Sequence, residues 1–247
     1  MSAGAIGCIH SVQTLGALDG PGLRYVAFLQ GCPLRCAYCH NPDTWARTGG
    51  RHITAEALVA QAARYRPYFG EDGGITLSGG EPLLQSAFCA RVATLARAQG
   101  IGVCVDTSGC RMDAPVRALL EKVSLVLLDI KHADPDAFMR LTGRSMDATL
   151  AFLAHCKREH IPLWVRQVVV PGFTDTPAQL TRLTALLQGA NVRRAQLLPY
   201  HTLGVAKWAA LALPYPLEGV PPADRAQVAA LQRAWLATGV LAPDAEA

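Results

Sequence analysis

The stretch GCPLRCAYCHNPDTW, residues 31–45, follows an apolar run that predicts a β-strand over Arg24–Gln30. Cys32, Cys36 and Cys39 have the spacing C-x3-C-x2-C, on what must be a loop. Three thiolates can hold a 4Fe-4S cubane at three of its four irons. The fourth iron then keeps an open position for an outside ligand, as a catalytic zinc ion does, which indicates chemistry rather than scaffolding.

A zinc-binding knuckle is the main alternative for the same cysteines. It needs a fourth ligand, for which His40 is the candidate. An electron carrier also needs a fully ligated centre, and three cysteines do not supply one. The strand before the loop and Tyr38 directly before the last cysteine favour the cluster.

Short β-branched strands alternate along the chain with segments of helical period. Strands joined by crossover helices form a parallel sheet, and six such units are too few to close an eight-fold barrel. The sequence therefore predicts the α/β class and an open partial (β/α)6 barrel with parallel strands. The six predicted strands are Arg24–Gln30, Ile75–Ser78, Ile101–Asp106, Leu125–Ile130, Leu163–Val170 and Arg194–Pro199.

We predict one domain over residues 1–247, with a cluster loop at residues 31–45. A chain of this length with 51% hydrophobic residues can bury a large core. Val228, Leu231 and Trp235 repeat at helical spacing, which predicts a C-terminal helix over about residues 222–239.

Composition argues against several classes of partner. The net charge of +4 is modest and the arginines are scattered, so no basic stripe predicts nucleic-acid binding. There is no secretory leader and no apolar run of about 18 residues, so we predict no membrane partner and a cytoplasmic location. In a reducing cytosol, eight cysteines with a tight trio favour a cluster over disulfides. We take the chain to be a monomer.

Polar residues follow the predicted strands near their carboxyl ends, where barrel enzymes build active sites. Ser78-Gly79-Gly80-Glu81-Pro82 ends the second strand, and its glycines let the backbone approach a ligand closely. Single residues have ordinary alternatives: Asp106 as a helix cap, or His201 as a core histidine. Lys131 and Arg166 could likewise belong to a structural ion pair. The full set is Asp106, Thr107, Asp129, Lys131, His201 and, within the fifth strand, Arg166.

The cysteine spacing with an aromatic residue before the last cysteine resembles the signature of the radical S-adenosylmethionine (SAM) superfamily. The resemblance implies that SAM binds the open iron through its amino and carboxylate groups. One electron from the reduced cluster then cleaves the sulfonium, and a 5′-deoxyadenosyl radical abstracts a hydrogen atom. In that family the Gly-Gly-Glu motif, here Gly79, Gly80 and Glu81, contacts the amino group of SAM.

Over nearly its whole length the chain also resembles the glycyl-radical-enzyme activases, the family of the pyruvate formate-lyase activating enzymes. The segment Asp19–Arg24 is similar to their DGPG-I-R signature, and the residues from Tyr38 to Trp45 continue the match. A plain Pro-Gly turn is the ordinary interpretation of the first segment, so its functional weight rests on the resemblance. Later matching segments are Asp106–Gly109, Leu128–Lys131, Trp164–Gly172, Leu197–His201, Lys207–Trp208 and Gly219–Val220.

The resemblance implies roles for individual residues. Asp19 is placed near the substrate loop. Arg166 neutralises either the methionyl carboxylate of SAM or the charge of the cluster, and the sequence leaves that choice open. A monovalent cation is implied at Asp106, Thr107 and Asp129. The implied contacts of SAM are Tyr38, Cys39, His40, Gly79, Gly80, Glu81, Asp129, Ile130, Lys131 and His201.

The resemblance also implies partners. The substrate is a backbone glycine of a glycyl radical enzyme such as pyruvate formate-lyase, and the electron donor is a reducing protein such as flavodoxin or ferredoxin. Many related activases carry extra cysteines after the cluster loop, whereas residues 46–53 contain none, so we predict a single cluster. We interpret the remaining cysteines as structural: Cys8, Cys89, Cys104, Cys110 and Cys156.

Two other kinds of radical enzyme are alternatives. One acts on a small molecule, as in modified-base biosynthesis, and the DGPG segment and the length of the match count against it. The other activates anaerobic ribonucleotide reductase, but those proteins are typically shorter and lack the later strands predicted here.

Overall fold

A computed structural model describes residues 5–243 and 245 of the chain, which divide into two compact units. The first unit comprises residues 5–33 and 44–127. The second comprises residues 34–43 and the described residues from 128 onward. The boundary at residue 127 falls inside a strand.

The first unit is built on a mostly parallel sheet. Its strands are β1 (Ile6–Gly16), β2 (Arg24–Leu29), β3 (Arg51–Thr54), β4 (Gly74–Gly79), β5 (Gly102–Thr107) and the start of β6 (Leu125–Asp129). β2 pairs in parallel with β4, and β4 with β5. β1 pairs antiparallel with both β2 and β3. The strand order in this unit is β3-β1-β2-β4-β5-β6.

Helices cover the first unit's sheet through apolar faces. They are α1 (Ala55–Ala63), α2 (Arg66–Phe69), α3 (Ser86–Arg97) and α4 (Ala114–Leu120). The Thr54 hydroxyl caps α1 by accepting a hydrogen bond from the Ala57 amide at 3.2 Å. Leu58 of α1, Phe88 of α3 and the strand residue Leu77 are all buried, and α1 packs against α3.

The second unit repeats the strand and helix alternation. The end of β6 is followed by β7 (Leu163–Val169) and β8 (Val192–Pro199), in the order β6-β7-β8, with β7 and β8 parallel. The helices are α5 (Pro135–Thr142), α6 (Asp147–Arg158), α7 (Pro177–Leu187), α8 (Val205–Ala210) and α9 (Arg225–Leu236). Val228 and Trp235 of α9 are buried, as the helical spacing predicts.

All six predicted strands are present, as β2, β4, β5, β6, β7 and β8. The prediction missed β1 and β3. Most of β1 is exposed, so it lacks the alternation of buried and exposed residues by which a strand is recognised. Among the described residues, no helix combines the length and apolar character that a membrane crossing requires.

The DGPG segment leads into a buried arginine at the start of β2. Arg24 is only 1% exposed. Its Nε donates to the Thr76 hydroxyl at 3.0 Å, and its Nη2 donates to the Ile75 carbonyl at 2.6 Å and to the Cys104 sulfur at 3.0 Å. Its Nη1 donates to the Asp72 carbonyl at 2.9 Å. One side chain therefore connects β2 with β4 and β5.

We expect Arg24→Met to lower the free energy of unfolding by about 3 kcal/mol, because methionine removes the donors of the buried Ile75 carbonyl and of the partly buried Asp72 carbonyl. Urea unfolding followed by circular dichroism measures the change. Arg117→Met, at an exposed position of α4, is the matched control and should change stability by less than about 0.5 kcal/mol. Equal stabilities of the two variants would show that the Arg24 network does not stabilise the sheet.

Candidate functional site

The glycines after β4 permit a close backbone contact inside the first unit. Gly79 has a φ of +108°, a conformation that L side chains rarely adopt. A Cβ on Gly80 would lie 2.3 Å from the Gly31 carbonyl oxygen. The Gly80 amide donates to the Leu29 carbonyl at 2.8 Å. Glycine is therefore required where β4 meets the start of the cluster loop.

Glu81 is buried, and both of its carboxylate oxygens accept hydrogen bonds within the first unit. Oε1 accepts from the Thr107 hydroxyl at 2.6 Å and from the Leu83 amide at 3.1 Å. Oε2 accepts from the Ser108 hydroxyl at 2.6 Å and the Ser108 amide at 3.1 Å. Burial raises the pKa of Glu81, and these hydrogen bonds oppose the rise because they favour the charged form. Glu81 thus joins the turn after β4 to the turn after β5.

Cys32 and Asp106 also lie in the first unit. The Cys32 amide donates to the Trp45 carbonyl at 3.2 Å, which closes the base of the cluster loop.

Asp106, near the end of β5, accepts a hydrogen bond from the Ser78 hydroxyl at 2.7 Å. The alternative of Asp106 as a helix cap is wrong, because Asp113 caps the helix that follows.

Asp19 is half-exposed at the edge of the Arg24 network. Its carbonyl accepts a hydrogen bond from the Thr76 hydroxyl at 2.7 Å, and the same hydroxyl accepts from Arg24. The buried network therefore fixes the backbone of Asp19, the residue that the resemblance places near the substrate.

Cys36 and Cys39 lie in the second unit, where the cluster loop contacts the end of α5. The Ala37 amide donates to the Leu141 carbonyl at 2.9 Å, and the Cys39 amide donates to the Cys36 carbonyl at 3.0 Å. Burial raises the pKa of Cys36 to about 12, so its free thiol is protonated at neutral pH. A metal ion bound by this thiol would have to displace that proton.

A mostly buried carboxylate in the second unit pairs with two cations. Lys131 Nζ lies 3.1 Å from Asp129 Oδ2, and Arg166 Nε lies 3.5 Å from Asp129 Oδ1. Burial acts to raise the pKa of Asp129, but Lys131 and Arg166 outweigh it and lower the pKa. The ion pair considered for Lys131 and Arg166 therefore exists through Asp129. Two cations and one carboxylate leave these three groups with an excess positive charge.

His40 and His201 stack on each other in the second unit. Their ring centroids are 4.1 Å apart at an interplanar angle of 23°, and His40 Nε2 lies 3.2 Å from the His201 carbonyl, to which it donates. Burial lowers the pKa of His40, which favours the neutral ring. A Cβ on Gly204 would lie 2.7 Å from the His40 Cα, so the chain after β8 needs glycine to approach the loop.

Several predicted SAM contacts in the second unit carry buried polar atoms without a hydrogen-bond partner among the described residues. These are Tyr38 Oη, His201 Nδ1 and Asp129 Oδ1, of which the last has only the ion pair with Arg166 at 3.5 Å. Lys131 Nζ lies 5.7 Å from the centroid of the Tyr38 ring. Such atoms ordinarily have a protein, ligand or water partner, so this part of the site fits a polar ligand.

Other predicted site residues have defined backbone partners. The Ile130 amide donates to the Arg166 carbonyl at 3.1 Å, and Ile130 is buried. Of the residues implied for a monovalent cation, Asp106 and Thr107 lie in the first unit and Asp129 in the second. The Thr107 hydroxyl donates to Glu81.

The cysteine trio is divided, with Cys32 in the first unit and Cys36 and Cys39 in the second. Within the described part of the chain, no three His, Cys, Asp or Glu side chains converge as ligands of one metal ion would. A cubane does not need that convergence, because each cysteine binds a different iron. His40, the fourth ligand that a zinc knuckle requires, is stacked on His201 instead, so the donor set fits a three-cysteine cluster better.

Three site residues had no predicted role. Ser108 supplies half of the hydrogen bonds to Glu81, and Lys207 and Trp208 of α8 contact the cluster loop within the second unit. Ser108 follows Thr107 at the end of β5, so position alone could have suggested it. Lys207 and Trp208 are more than 160 residues from their partners in sequence, and no local pattern reveals such a contact.

Comparison with known proteins identifies the family. The model of the radical SAM superfamily matches residues 26–183. The pyruvate formate-lyase-activating enzyme of Staphylococcus epidermidis is 44% identical over 227 residues, covering 88% of this chain and 90% of that protein. The enzyme of the same name from Clostridium pasteurianum is 42% identical over 222 residues, covering 89% and 93%. These relatives confirm the resemblance to activases found in the sequence.

A solved structure supports the fold. A radical SAM methyltransferase from Sphaerobacter thermophilus has a TM-score of 0.63 at 19% identity, over 88% of this chain and 65% of that one. This likeness confirms the predicted α/β class and open partial barrel. The family also confirms the predicted cofactors, a 4Fe-4S cluster and SAM. The chain belongs to the radical SAM superfamily.

Proposed function

We propose that this chain activates a glycyl radical enzyme such as pyruvate formate-lyase by removing a hydrogen atom from a backbone glycine. The observation that carries the proposal is the 44% identity over 88% of the chain to a relative named pyruvate formate-lyase-activating enzyme. The DGPG segment with its buried Arg24 supports the same activity, because it matches the activase signature and is fixed in place by the network around β2.

When bound, the reduced cluster supplies one electron that splits SAM into methionine and a 5′-deoxyadenosyl radical, which takes the hydrogen atom from glycine. We assign Cys32, Cys36 and Cys39 as the cluster ligands. Cys36 is buried and its loop is anchored on α5, so this ligand is held before metal arrives. Asp19, fixed by the Arg24 network, is assigned to the substrate loop.

The second unit supplies charges suited to the methionyl end of SAM. Asp129, Lys131 and Arg166 together carry an excess positive charge, which suits the SAM carboxylate. We assign Arg166 chiefly to holding Asp129, and Lys131 to the carboxylate. Tyr38 Oη and His201 Nδ1 are buried without a partner in the described chain and are assigned as direct contacts of SAM. Cys39, His40 and Ile130 complete this side of the cofactor site.

The first unit supplies backbone groups for the amino group of SAM. A side chain at Gly79 or Gly80 would collide with the backbone of β2 or of Gly31, so glycine holds this turn in place, and we assign its backbone to the amino group of SAM. The Glu81 oxygens each accept two hydrogen bonds within the unit, so we assign Glu81 to holding the Gly80 backbone rather than to binding SAM itself. Asp106, Thr107 and Asp129 are proposed ligands of a monovalent cation.

The proposal extends to partners and organisation. The electron donor is a reducing protein of the flavodoxin or ferredoxin class, and the chain acts as a monomer in the cytoplasm, where the eight free cysteines suit a reducing compartment. We also propose that both units belong to one radical SAM domain, since the family match at residues 26–183 runs through both.

Electron paramagnetic resonance tests the proposal. The anaerobically reconstituted and reduced protein is measured with and without SAM, and then with pyruvate formate-lyase added. We expect a cluster signal that SAM perturbs, followed by a glycyl doublet on the partner. A SAM-sensitive cluster without the doublet would contradict the activase function and favour a small-molecule substrate, whereas protein without a cluster would contradict the cysteine assignment.

A further inference from the structure

The segment after β8 reaches back to the cluster loop within the second unit. Trp208 Nε1 donates a hydrogen bond to the Cys39 carbonyl at 2.8 Å. Its neighbour Lys207 donates from Nζ to Asn41 Oδ1 at 2.8 Å and pairs with Asp43 Oδ2 at 3.0 Å. Two consecutive residues of α8 thus hold the backbone and the side chains of the loop's second half.

The indole of Trp208 is itself held rigidly. Trp208 is buried, and its ring lies edge-on to the Tyr215 ring, with centroids 5.3 Å apart. The Tyr215 hydroxyl lies 2.8 Å from the Tyr200 hydroxyl in a hydrogen bond. Because the ring is fixed by packing, its N–H points at the Cys39 carbonyl without a large cost in side-chain entropy.

Cys39 is therefore restrained on both sides of its Cα. Its amide donates to the Cys36 carbonyl, and its carbonyl accepts from the indole. The Lys207 contacts are more exposed, with 41% of that side chain accessible, so water competes with them. The hydrogen bond from the buried Trp208 indole acts on Cys39 directly, whereas Lys207 contacts only Asn41 and Asp43.

We propose that Trp208 is a positioning residue for the cluster, acting through its hydrogen bond to the Cys39 carbonyl. The proposal rests on the assignment of Cys39 as a ligand made above. Residues that support a metal ligand without touching the metal commonly tune its retention and redox behaviour. The indole bond holds the last cysteine of the trio in place before and after the cluster is built.

The first experiment uses the full-length protein without a cluster. Trp208→Phe keeps an aromatic ring for Tyr215 but removes the N–H donor together with some buried ring volume, a loss that the control variant shares. Alkylation of individual cysteines by iodoacetamide is followed over time by peptide mass spectrometry. We expect Cys39 to react about five-fold faster in Trp208→Phe than in the unaltered protein, the size expected for one lost hydrogen bond.

Trp235→Phe is the matched control. Trp235 is also buried in the second unit, but its indole nitrogen has no hydrogen-bond partner among the described residues. The rate at Cys39 should not change in this variant. Cys156, which is fully buried, reports any general loosening of the unit. An unchanged Cys39 rate in Trp208→Phe would overturn the proposal, and so would a parallel rise at Cys39 and Cys156.

The second experiment uses the reconstituted protein. The loss of the cluster to a chelator, followed by visible absorbance, should be faster in Trp208→Phe than in Trp235→Phe, and the midpoint potential should shift only in Trp208→Phe. Equal rates and potentials would overturn the positioning role even if Cys39 reacts faster without the cluster. Failure of the unaltered protein to form any cluster would instead contradict the ligand assignment, so the two failures are distinguishable.

Discussion

Cys36→Ala should fail to assemble an intact cluster and should lose SAM cleavage altogether. Alanine removes one of the three thiols that the loop offers, and no other cysteine is close in sequence to replace it. The expected loss is more than about 100-fold, beyond what the loss of a residue that only supports a ligand costs. Iron content, visible absorbance and the formation of 5′-deoxyadenosine measure the effect after anaerobic reconstitution.

Cys156→Ala is the control for that variant. Cys156 is buried in the second unit and lies outside the trio, so its replacement removes a thiol of the same chain without touching the loop. We expect normal iron content and normal SAM cleavage. Cleavage by Cys36→Ala at the rate of this control would refute the assignment of Cys36 as a ligand.

Asp129→Ala should weaken SAM binding about ten-fold while the cluster is retained. The substitution leaves Lys131 and Arg166 as like charges without the carboxylate between them. It should also lower the free energy of unfolding by about 3 kcal/mol, the lower end of the range for a buried pair, because 20% of the Asp129 side chain is exposed. Equilibrium binding of SAM to reconstituted protein and urea unfolding of the cluster-free protein measure the two effects.

Glu159→Ala is the control for charge removal. Glu159 pairs with Arg158 at an exposed site, with 51% of its side chain accessible, and such pairs contribute little. Neither SAM affinity nor stability should change measurably. An unchanged dissociation constant in Asp129→Ala would contradict the role of Asp129 in the cofactor site.

The pH dependence of stability gives a further check on Asp129. Because its folded pKa lies below the ordinary value of 3.8, the unfolded chain takes up the proton first as pH falls. The stabilisation is therefore complete above about pH 5 and is lost as pH falls through the lowered pKa. The stability difference between the unaltered protein and Asp129→Asn should be constant at neutral pH and should shrink in acid.

The parallel strands could be predicted because buried strands appear in the sequence as short, continuous apolar runs. Ile75 and Leu77 of β4 are fully buried, and such apolar runs are recognisable wherever helical segments separate them. β1 could not be predicted in this way, because most of its residues are exposed although it pairs with β2 on one side and β3 on the other. Its partner β3 has four residues, too few for any period to be visible.

The site could be predicted where chemistry follows a local motif. The cysteine spacing and the glycines after β4 identify the loop and its close backbone contact, and Asp129 with Lys131 stands at a strand end. The sequence did not show which of these residues bind SAM and which only hold the binding residues in place. Glu81 accepts hydrogen bonds from the Leu83 amide and from Thr107 and Ser108, and the last two donors lie more than 25 residues away in sequence, where no local motif reveals them.

The resemblance marked Lys207 and Trp208 but gave neither a function. Both act on loop atoms far away in the chain, and Trp208 binds a backbone carbonyl, which every residue possesses. Because the acceptor is a backbone carbonyl, the contact does not require any particular side chain at position 39, and the sequence carries no sign of it. It becomes visible only when the chain after β8 is folded beside the loop in the second unit.

The cysteines outside the trio affect how the protein withstands oxygen. Cys89 and Cys156 are fully buried and Cys104 is 1% exposed. Burial raises the pKa of Cys104 to about 11 and that of Cys156 to about 12, so neither forms the thiolate that oxidants attack. Exposure to air should therefore damage the cluster loop and spare the core thiols, which peptide mass spectrometry can verify. Because the core thiols stay reduced, we expect iron, sulfide and a thiol reductant to rebuild the cluster in the air-damaged protein.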